Sequence, residues 1–439
     1  MNSGRIILST FGSFGDVHPY IAIALELKAR GHHPVIATTE IYREKTVALG
    51  LEFHPVRPVV PSYDEPDKIV PVLEKLMDAR TGTEEVINTF VIPHLRDTYE
   101  DLRAAVQGAD LFVTHPLSIP GPLIVEQTGI SWVSSVLAPI SFFSVYDPSV
   151  PPQLPAMYHL LKLHPFVGRI LIGLARRKLG SLANAVARLR AEVGLPPSSA
   201  HPLFEGQHSP ALVLALFSSV LAAPQPDWPP QTRLTGFPFY DRRDRAGDRD
   251  EAVTADGLSP DLTNFLDAGE PPIVFTLGSS AIWVAKDFYR ESIAAARALG
   301  QRALLLIGHE RNRLAEGLPA GVAAFEYAPY GELLPRARAV VHQGGVGTTG
   351  QTLRSGRPAL VVPFSHDQFD NGARVSRLGC GRMLARGRYN AASATKELRA
   401  ILSDESYKTK AVEVGRRVRA ERGAVVACDA IEEVLRKRG

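Results

Sequence analysis

The stretch HQGGVGTT at 342–349 gathers a histidine, three glycines and two threonines. The apolar AVV before it reads as the end of a strand, and GTTGQTLRSG within and after it as the start of a helix. Free N–H groups at a helix start, hydroxyls from Thr348 and Thr349, and the close backbone approach that Gly344, Gly345 and Gly347 permit make an anion site suited to a diphosphate. His342 adds a donor, or a positive charge if protonated. A plain strand–helix turn uses glycines too, so the glycines alone decide nothing. After the next strand, PFSHDQFDN supplies Asp367, Gln368 and Asn371, a carboxylate and two amides able to hold several hydroxyls, as a sugar presents. Both stretches fall at the C-terminal edge of a parallel sheet, where open α/β sheets bind ligands.

A second glycine-rich turn, FGSFGDVHPY at 11–20, joins an apolar strand to an amphipathic helix. It is not G-x-G-x-x-G, and Asp16 stands where a pyrophosphate would approach, which disfavours a nicotinamide-dependent dehydrogenase. Asp16 and His18 are instead candidates for moving a proton.

The elements that position these residues alternate strand and helix through most of the chain. RIILSTF, PVIATT, DLFVTHP, SWVSSV and LVLALF read as strands in the first half. The rhythm restarts at PPIVFTLGSS and continues through RALLLIG, VAAFEYAP, AVVHQGG, PALVVP and GRMLA. Unbroken apolar runs separated by helices predict parallel sheets covered on both faces. The chain of 439 residues suits two domains. The reading places an N-terminal domain at 1–220, a proline-rich linker at 221–235, a second domain at 236–420 and a terminal helix at 421–439. Within the mixed-charge run DRRDRAGDRD, Asp248 and Asp250 form a D-x-D, a poor metal site among arginines. No metal site is expected.

Composition narrows the class. A 45% hydrophobic and 22% charged chain is an ordinary globular one, and a net charge of +3 does not point to nucleic acid. Two cysteines, Cys380 and Cys428, make no disulfide framework, and neither a secretory signal nor a bilayer-length apolar run is visible. A soluble, cytoplasmic protein is expected, monomeric or weakly dimeric, without stable membrane insertion.

The stretch 325–375, together with the opening turn, the linker and the LGSS turn, resembles the donor-binding signature and layout of family 1 glycosyltransferases. HxGGxGTT followed by VPFxxDQ is the wording of their bacterial antibiotic-tailoring and sterol glucosyltransferase branch. The resemblance implies an α/β chain of the GT-B fold, two facing Rossmann-like domains with parallel sheets and an interdomain cleft. It implies that His342 and the helix start at Gly347, Thr348 and Thr349 bind the donor diphosphate, with Ser279 of LGSS as a second phosphate ligand. Asp367 and Gln368 would hold sugar hydroxyls, and Tyr327 would stack on the base in place of the family's tryptophan. Many relatives carry a ribose-binding glutamate where this chain has Gly350, followed by Gln351. That departure leaves a dTDP-sugar possible, with a UDP-sugar favoured; the nucleotide sugar is a co-substrate and no cofactor is implied.

In the wider family the first turn reads G-H-x-x-P, the histidine being the base, and a later strand ends in its partner aspartate. Here those positions carry Asp16 and His115, so the pair is inverted. Either Asp16 faces the acceptor while His115 contacts it or relays its proton, or His115 is the base and Asp16 orients it; His18 is a third candidate. A lone strand-end histidine such as His115 is more often structural. The chemistry implied is displacement of a nucleotide diphosphate by an acceptor hydroxyl, inverting the anomeric centre without metal.

The aromatic, proline-rich 141–166 suggests an apolar wall for a polyphenol, macrolide or sterol acceptor, with Phe142, Phe143, Tyr146 and Met157 as lining candidates, although residue by residue core packing is the better reading. The basic 416–439 reads as a helix packing back on the first domain rather than on anionic lipid. A nucleotide-sugar 2-epimerase and a nonenzymatic glycosyltransferase-like auxiliary protein are the competing classes.

Overall fold

The computed structural model describes residues 3–240, 257–313 and 317–437. Asp248 and Asp250 lie outside the described residues. The chain divides into two compact units. The first comprises Met1–Ile69, Thr81–Tyr240 and Arg422–Gly439, the second Val70–Arg80 and Asp241–Glu421.

The first unit is built on seven strands: β1 (Arg5–Ser9), β2 (His33–Thr38), β3 (Glu52–Pro55), β4 (Leu111–Thr114), β5 (Ser131–Val136), β6 (Val213–Ala215) and β7 (Thr232–Leu234). They lie in the order β3-β2-β1-β4-β5-β6-β7, with β1 parallel to both β2 and β4. Ile6, Ile7 and Leu8 of β1 are all fully buried. Sequential side chains on opposite faces can all be buried only in a sheet covered on both sides, hence the unbroken apolar run. One covering layer packs Leu102, Leu123, Leu182 and Leu189 onto Ile7, Val35 and Phe112.

The second unit repeats the plan with β8 (Ile273–Thr276), β9 (Ala303–Leu306), β10 (Val322–Phe325), β11 (Ala339–His342), β12 (Ala359–Val361) and β13 (Gly381–Met383). Their order is β10-β9-β8-β11-β12-β13. Each sheet therefore reverses its winding once, between β1 and β4 in the first and between β8 and β11 in the second. Loops leave in opposite directions at that point and open a crevice, so the turns after these four strands are the ones placed to meet a ligand. These two Rossmann-like domains are those of the GT-B fold.

Two strands depart from the sequence reading. β3 reads Glu-Phe-His-Pro without an apolar run, and as an edge strand it carries Glu52, which pairs with Arg5 at 2.8 Å. β7 lies inside the stretch expected to be a linker, and residues to Tyr240 belong to the first unit. Its half-buried edge position tolerates the neighbouring prolines that argue against a central strand.

The helix Gly423–Arg436 packs on the helix Phe14–Ala29 within the first unit. Arg30 bonds to Asp429 and Glu432, Arg233 makes a two-pronged pair with Glu433, and His32 Nε2 faces Glu432 Oε1 at 3.3 Å. The segment Val70–Arg80 belongs to the second unit, where Ser365 Oγ donates to Leu76 O at 3.3 Å. Among the described residues no helix is long and apolar enough to cross a membrane.

Candidate active site

In the first unit, the turn after β1 is closed by a reciprocal cap. Ser13 is the N-cap of the helix Phe14–Ala29, and its hydroxyl accepts from Gly15 N. Asp16 returns the favour: Oδ2 accepts from Ser13 N at 2.8 Å and from Ser13 Oγ at 3.1 Å. An acid three residues into the helix satisfies the N-cap amide that would otherwise be orphaned. Gly12, at φ +135°, is required here, because a Cβ would lie 2.3 Å from Asp16 Oδ2.

The other carboxylate oxygen faces the end of β4. Asp16 Oδ1 lies 3.6 Å from His115 Nε2, beyond a hydrogen bond but close for a charge–dipole contact. His115 is buried and Asp16 one-third exposed. Leu117 N donates to His115 Nδ1 at 3.0 Å. That backbone donor makes Nδ1 the acceptor and places an Nε2 proton toward Asp16. Behind the ring, Tyr20 packs edge-on to His115, and its buried hydroxyl, held protonated by desolvation, bonds to Ser135.

His18 is placed apart from this pair. Its ring lies between Phe14 and Tyr240, with centroids 5.3 and 5.1 Å away. Burial and then nearby Lys45 hold its pKa well below the ordinary value, and its shielded Nε2 has no hydrogen-bond partner among the described residues.

A shallow, partly open concavity lies over the ends of β1, β2, β3 and β4, its lining mixing apolar Phe11, Val56, Phe90 and Ile119 with polar Ser9, Thr10, Arg57 and Ser118. The sequence reading missed it because its walls come from five separate segments of the chain. The residues it put forward lie elsewhere. Phe142 is core, stacked on Trp228 at 4.1 Å between centroids. Phe143 packs on Phe204, Tyr146 is exposed, and Met157 sits in a short turn of helix. None of the four lines the concavity.

In the second unit, His342 ends β11 fully buried. Desolvation alone drops its pKa to about 3, so the ring is neutral, and of the two roles open to it, donor or charge, it offers the donor. Gly344 N donates to His342 Nδ1 at 3.1 Å, which leaves the proton on Nε2, a donor without a partner among the described residues. Gly344 itself is held at φ +92°, where a Cβ would meet Gln368 O at 2.9 Å. Gly345 is the N-cap of the helix Val346–Ser355.

The start of that helix is shared between one side chain and open donors. Asp367 Oδ2 accepts from Val346 N at 3.1 Å and from Asn371 Nδ2 at 2.7 Å. The N–H groups of Gly347 and Thr348 and the Thr349 hydroxyl have no partner among the described residues. Gln368 Oε1 accepts from Phe364 N and Ser365 N, so this side chain can offer a ligand only its amide N–H groups. Gln343, also missed from sequence, reaches Thr348 Oγ1 at 3.4 Å. The turn after β8 packs tightly against it: Gly278 is at φ +65°, and a Cβ there would meet Gln343 Nε2 at 2.3 Å. Ser279 follows, half-buried in the short helix Gly278–Ala281, and Tyr327 lies half-buried beyond β10. Among the described residues no group of three or more histidines, cysteines or carboxylates could hold a metal ion.

Chemically, the first unit offers a carboxylate held by Ser13 and faced by His115. The second offers uncharged N–H and O–H donors at a helix start, suited to a polyanion.

Both halves of the chain match known protein families. Residues 291–429 match the family model of the erythromycin biosynthesis protein CIII-like C-terminal domain, and residues 6–94 that of the glycosyltransferase family 28 N-terminal domain. The chain is 32% identical over 439 residues to O-mycaminosyltylonolide 6-deoxyallosyltransferase of Streptomyces fradiae, covering 98% of this chain and 97% of that protein. It is 26% identical to a sterol 3-beta-glucosyltransferase of Debaryomyces hansenii, covering 98% of this chain but spanning only 27% of that longer protein. The solved structure of CalG4, the calicheamicin glycosyltransferase, superposes with a TM-score of 0.69 at 17% identity, covering 99% of both chains.

Proposed function

The chain belongs to the glycosyltransferase family of its Streptomyces fradiae relative, and on that premise we propose that it moves a hexose or deoxyhexose from a nucleotide-diphosphate sugar to a hydroxyl of a hydrophobic small molecule, inverting the anomeric centre without metal. The observation that carries this reading is the donor set after β11. The Nε2–H of neutral His342, the amides of Gly347 and Thr348 and the hydroxyl of Thr349 have no partner among the described residues and lie just before or within one helix start. Such preorganised donors stabilise the charge that develops on a departing diphosphate.

The proton from the acceptor goes to Asp16 Oδ1, since Oδ2 is occupied by Ser13. His115 is a positioning residue that donates toward the carboxylate. Direct attack by the deprotonating hydroxyl turns an α-linked donor into a β-glycoside. The hydrophobic acceptor is inferred from the ring systems named for the relatives, a substituted tylonolide and a sterol. Gly350 in place of a ribose-binding carboxylate fits a dTDP-sugar as well as a UDP-sugar, and the relative's name specifies a 6-deoxyhexosyl group.

The test is a donor panel of UDP-glucose, dTDP-glucose and a dTDP-6-deoxyhexose with a macrolide aglycone, a sterol and a simple phenol. Product mass identifies transfer, proton NMR of the anomeric linkage reports inversion, and excess EDTA reports metal dependence. Release of UDP or dTDP matched by glycoside supports the reading. Donor hydrolysis or epimerisation without glycoside overturns it.

A further inference from the structure

Seven of the eleven large apolar side chains exposed among the described residues fall between positions 146 and 174. Three of them, Phe166, Ile170 and Leu174, are 60%, 49% and 52% exposed and recur every fourth residue of the helix Pro165–Lys178. That spacing puts them on one stripe. Leu163, 74% exposed, continues it one turn earlier, and the short helix Tyr158–Leu161, which packs on the longer one, adds Leu160. The opposite side is the one that docks: Gly168 is buried, where a Cβ would lie 3.0 Å from Val145 Cγ1.

Charge identifies what this face meets. From 148 to 191 the chain has no aspartate or glutamate and seven lysines and arginines. Lys178 and Arg176 are paired with Glu84 and Glu205, and Arg190 with Glu126. Lys162, Arg169 and Arg177 have no carboxylate partner among the described residues. Arg169 and Arg177 follow Phe166 and Leu174 by three residues, on the same side of the helix.

We propose that the helix Pro165–Lys178 and the turn before it form a peripheral docking surface for a membrane bearing anionic headgroups. Leucine, isoleucine and phenylalanine would enter the acyl boundary while the flanking cations meet the headgroups, the pattern of an interfacial helix. A second copy of the chain would set unpaired arginines against arginines. A small acceptor would need a hollow, and this face is a convex helix. Docking there places the enzyme where hydrophobic acceptors partition.

The test needs neither donor nor acceptor, so its outcome is independent of the transfer reading. The purified full chain is sedimented with vesicles of phosphatidylcholine alone and with 30% phosphatidylglycerol (about 30%, as a moderately anionic surface). Binding to the anionic vesicles is expected to be at least about tenfold tighter, and to weaken in high salt. Phe166→Ser/Ile170→Ser/Leu174→Ser and, separately, Arg169→Glu/Arg177→Glu should each reduce it by about tenfold or more, with thermal melts unchanged because all five positions are exposed. Val412→Ser, at an exposed valine elsewhere, should leave binding intact. Absence of binding to either vesicle, or equal binding by the triple variant, overturns the proposal. So does a dimer of the wild-type chain in gel filtration that the triple variant converts to monomer, since a second copy would then cover the face.

Discussion

Replacing Asp16 by asparagine separates the two tasks this side chain performs. Oδ2 accepts from Ser13 N at 2.8 Å and from Ser13 Oγ at 3.1 Å, while Oδ1 faces His115 Nε2 at 3.6 Å. Asparagine keeps one oxygen for Ser13 N, so the helix start survives, at a cost of about 0.5–1 kcal/mol. Its amide N–H groups then point at the His115 N–H, and the base is gone. Loss of a general base costs roughly 10²–10⁴-fold in turnover, or about 2.7–5.5 kcal/mol of barrier. Asp16→Ala removes both functions and should add about 1–2 kcal/mol of lost stability. For a domain of this size that is a melting shift of roughly 2–8 °C. The assay is glycoside formation under saturating donor and acceptor, read beside a thermal melt for each variant. Asp16→Asn should be nearly inactive and nearly as stable as wild type. If it turns over within fivefold of wild type, the carboxylate is a cap and nothing more. If activity in both variants merely follows the folded fraction, the same conclusion holds.

Other expectations follow from the burial of the histidines and the crowding of the glycines. His342→Ala should lower kcat/KM by about 10–100-fold through loss of a neutral donor to the diphosphate. Because burial holds His342 at about 3, its protonation should contribute no inflection to the pH–rate profile between about pH 5 and 8. The same burial makes the fold acid-sensitive. His342, His18 and His208 all have folded pKa values below their unfolded values, the last at about 4. The unfolded chain therefore takes up protons first, so stability is whole above about pH 6.5 and falls as the pH drops toward 4. His342 alone removes about 2 kcal/mol by pH 5, measurable by denaturant titration at pH 7.5 and 5 and abolished in His342→Ala. Gly12→Ala should depress turnover with donor binding unchanged, because its Cβ would collide with the Asp16 carboxylate; calorimetric titration of UDP or dTDP is the check.

Much of the fold was legible because buried parallel strands need unbroken apolar runs. SWVSSV corresponds to β5 residue for residue. β3 and β7 escaped detection because edge strands need no such run, and prolines around 224–230 are tolerated beside an edge. The spacing of HQGGVGTT located a helix start, since that geometry is local. The charge of His342 was not legible, because desolvation depends on everything packed around the end of β11. The pairing of Asp16 with His115 is what the family resemblance implies, since it matches both positions to the family's base and its partner. The tautomer could not be anticipated, since it is set by the amide of Leu117. Phe142 looked like a lining residue because aromatic content does not distinguish a wall from a core. Its stacking on Trp228 decides the matter.

The threading of the chain constrains how this enzyme can be recombined. A donor-binding half exchanged at a single crossover near residue 240 would bring along a foreign version of the helix Gly423–Arg436. That helix carries Asp429, Glu432 and Glu433, the partners of Arg30, His32 and Arg233 in the first unit. The same crossover would leave Val70–Arg80 behind, although Leu76 receives the Ser365 hydroxyl in the second unit. A chimera that keeps both halves intact therefore exchanges 70–80 and 241–421 together and retains 422–439.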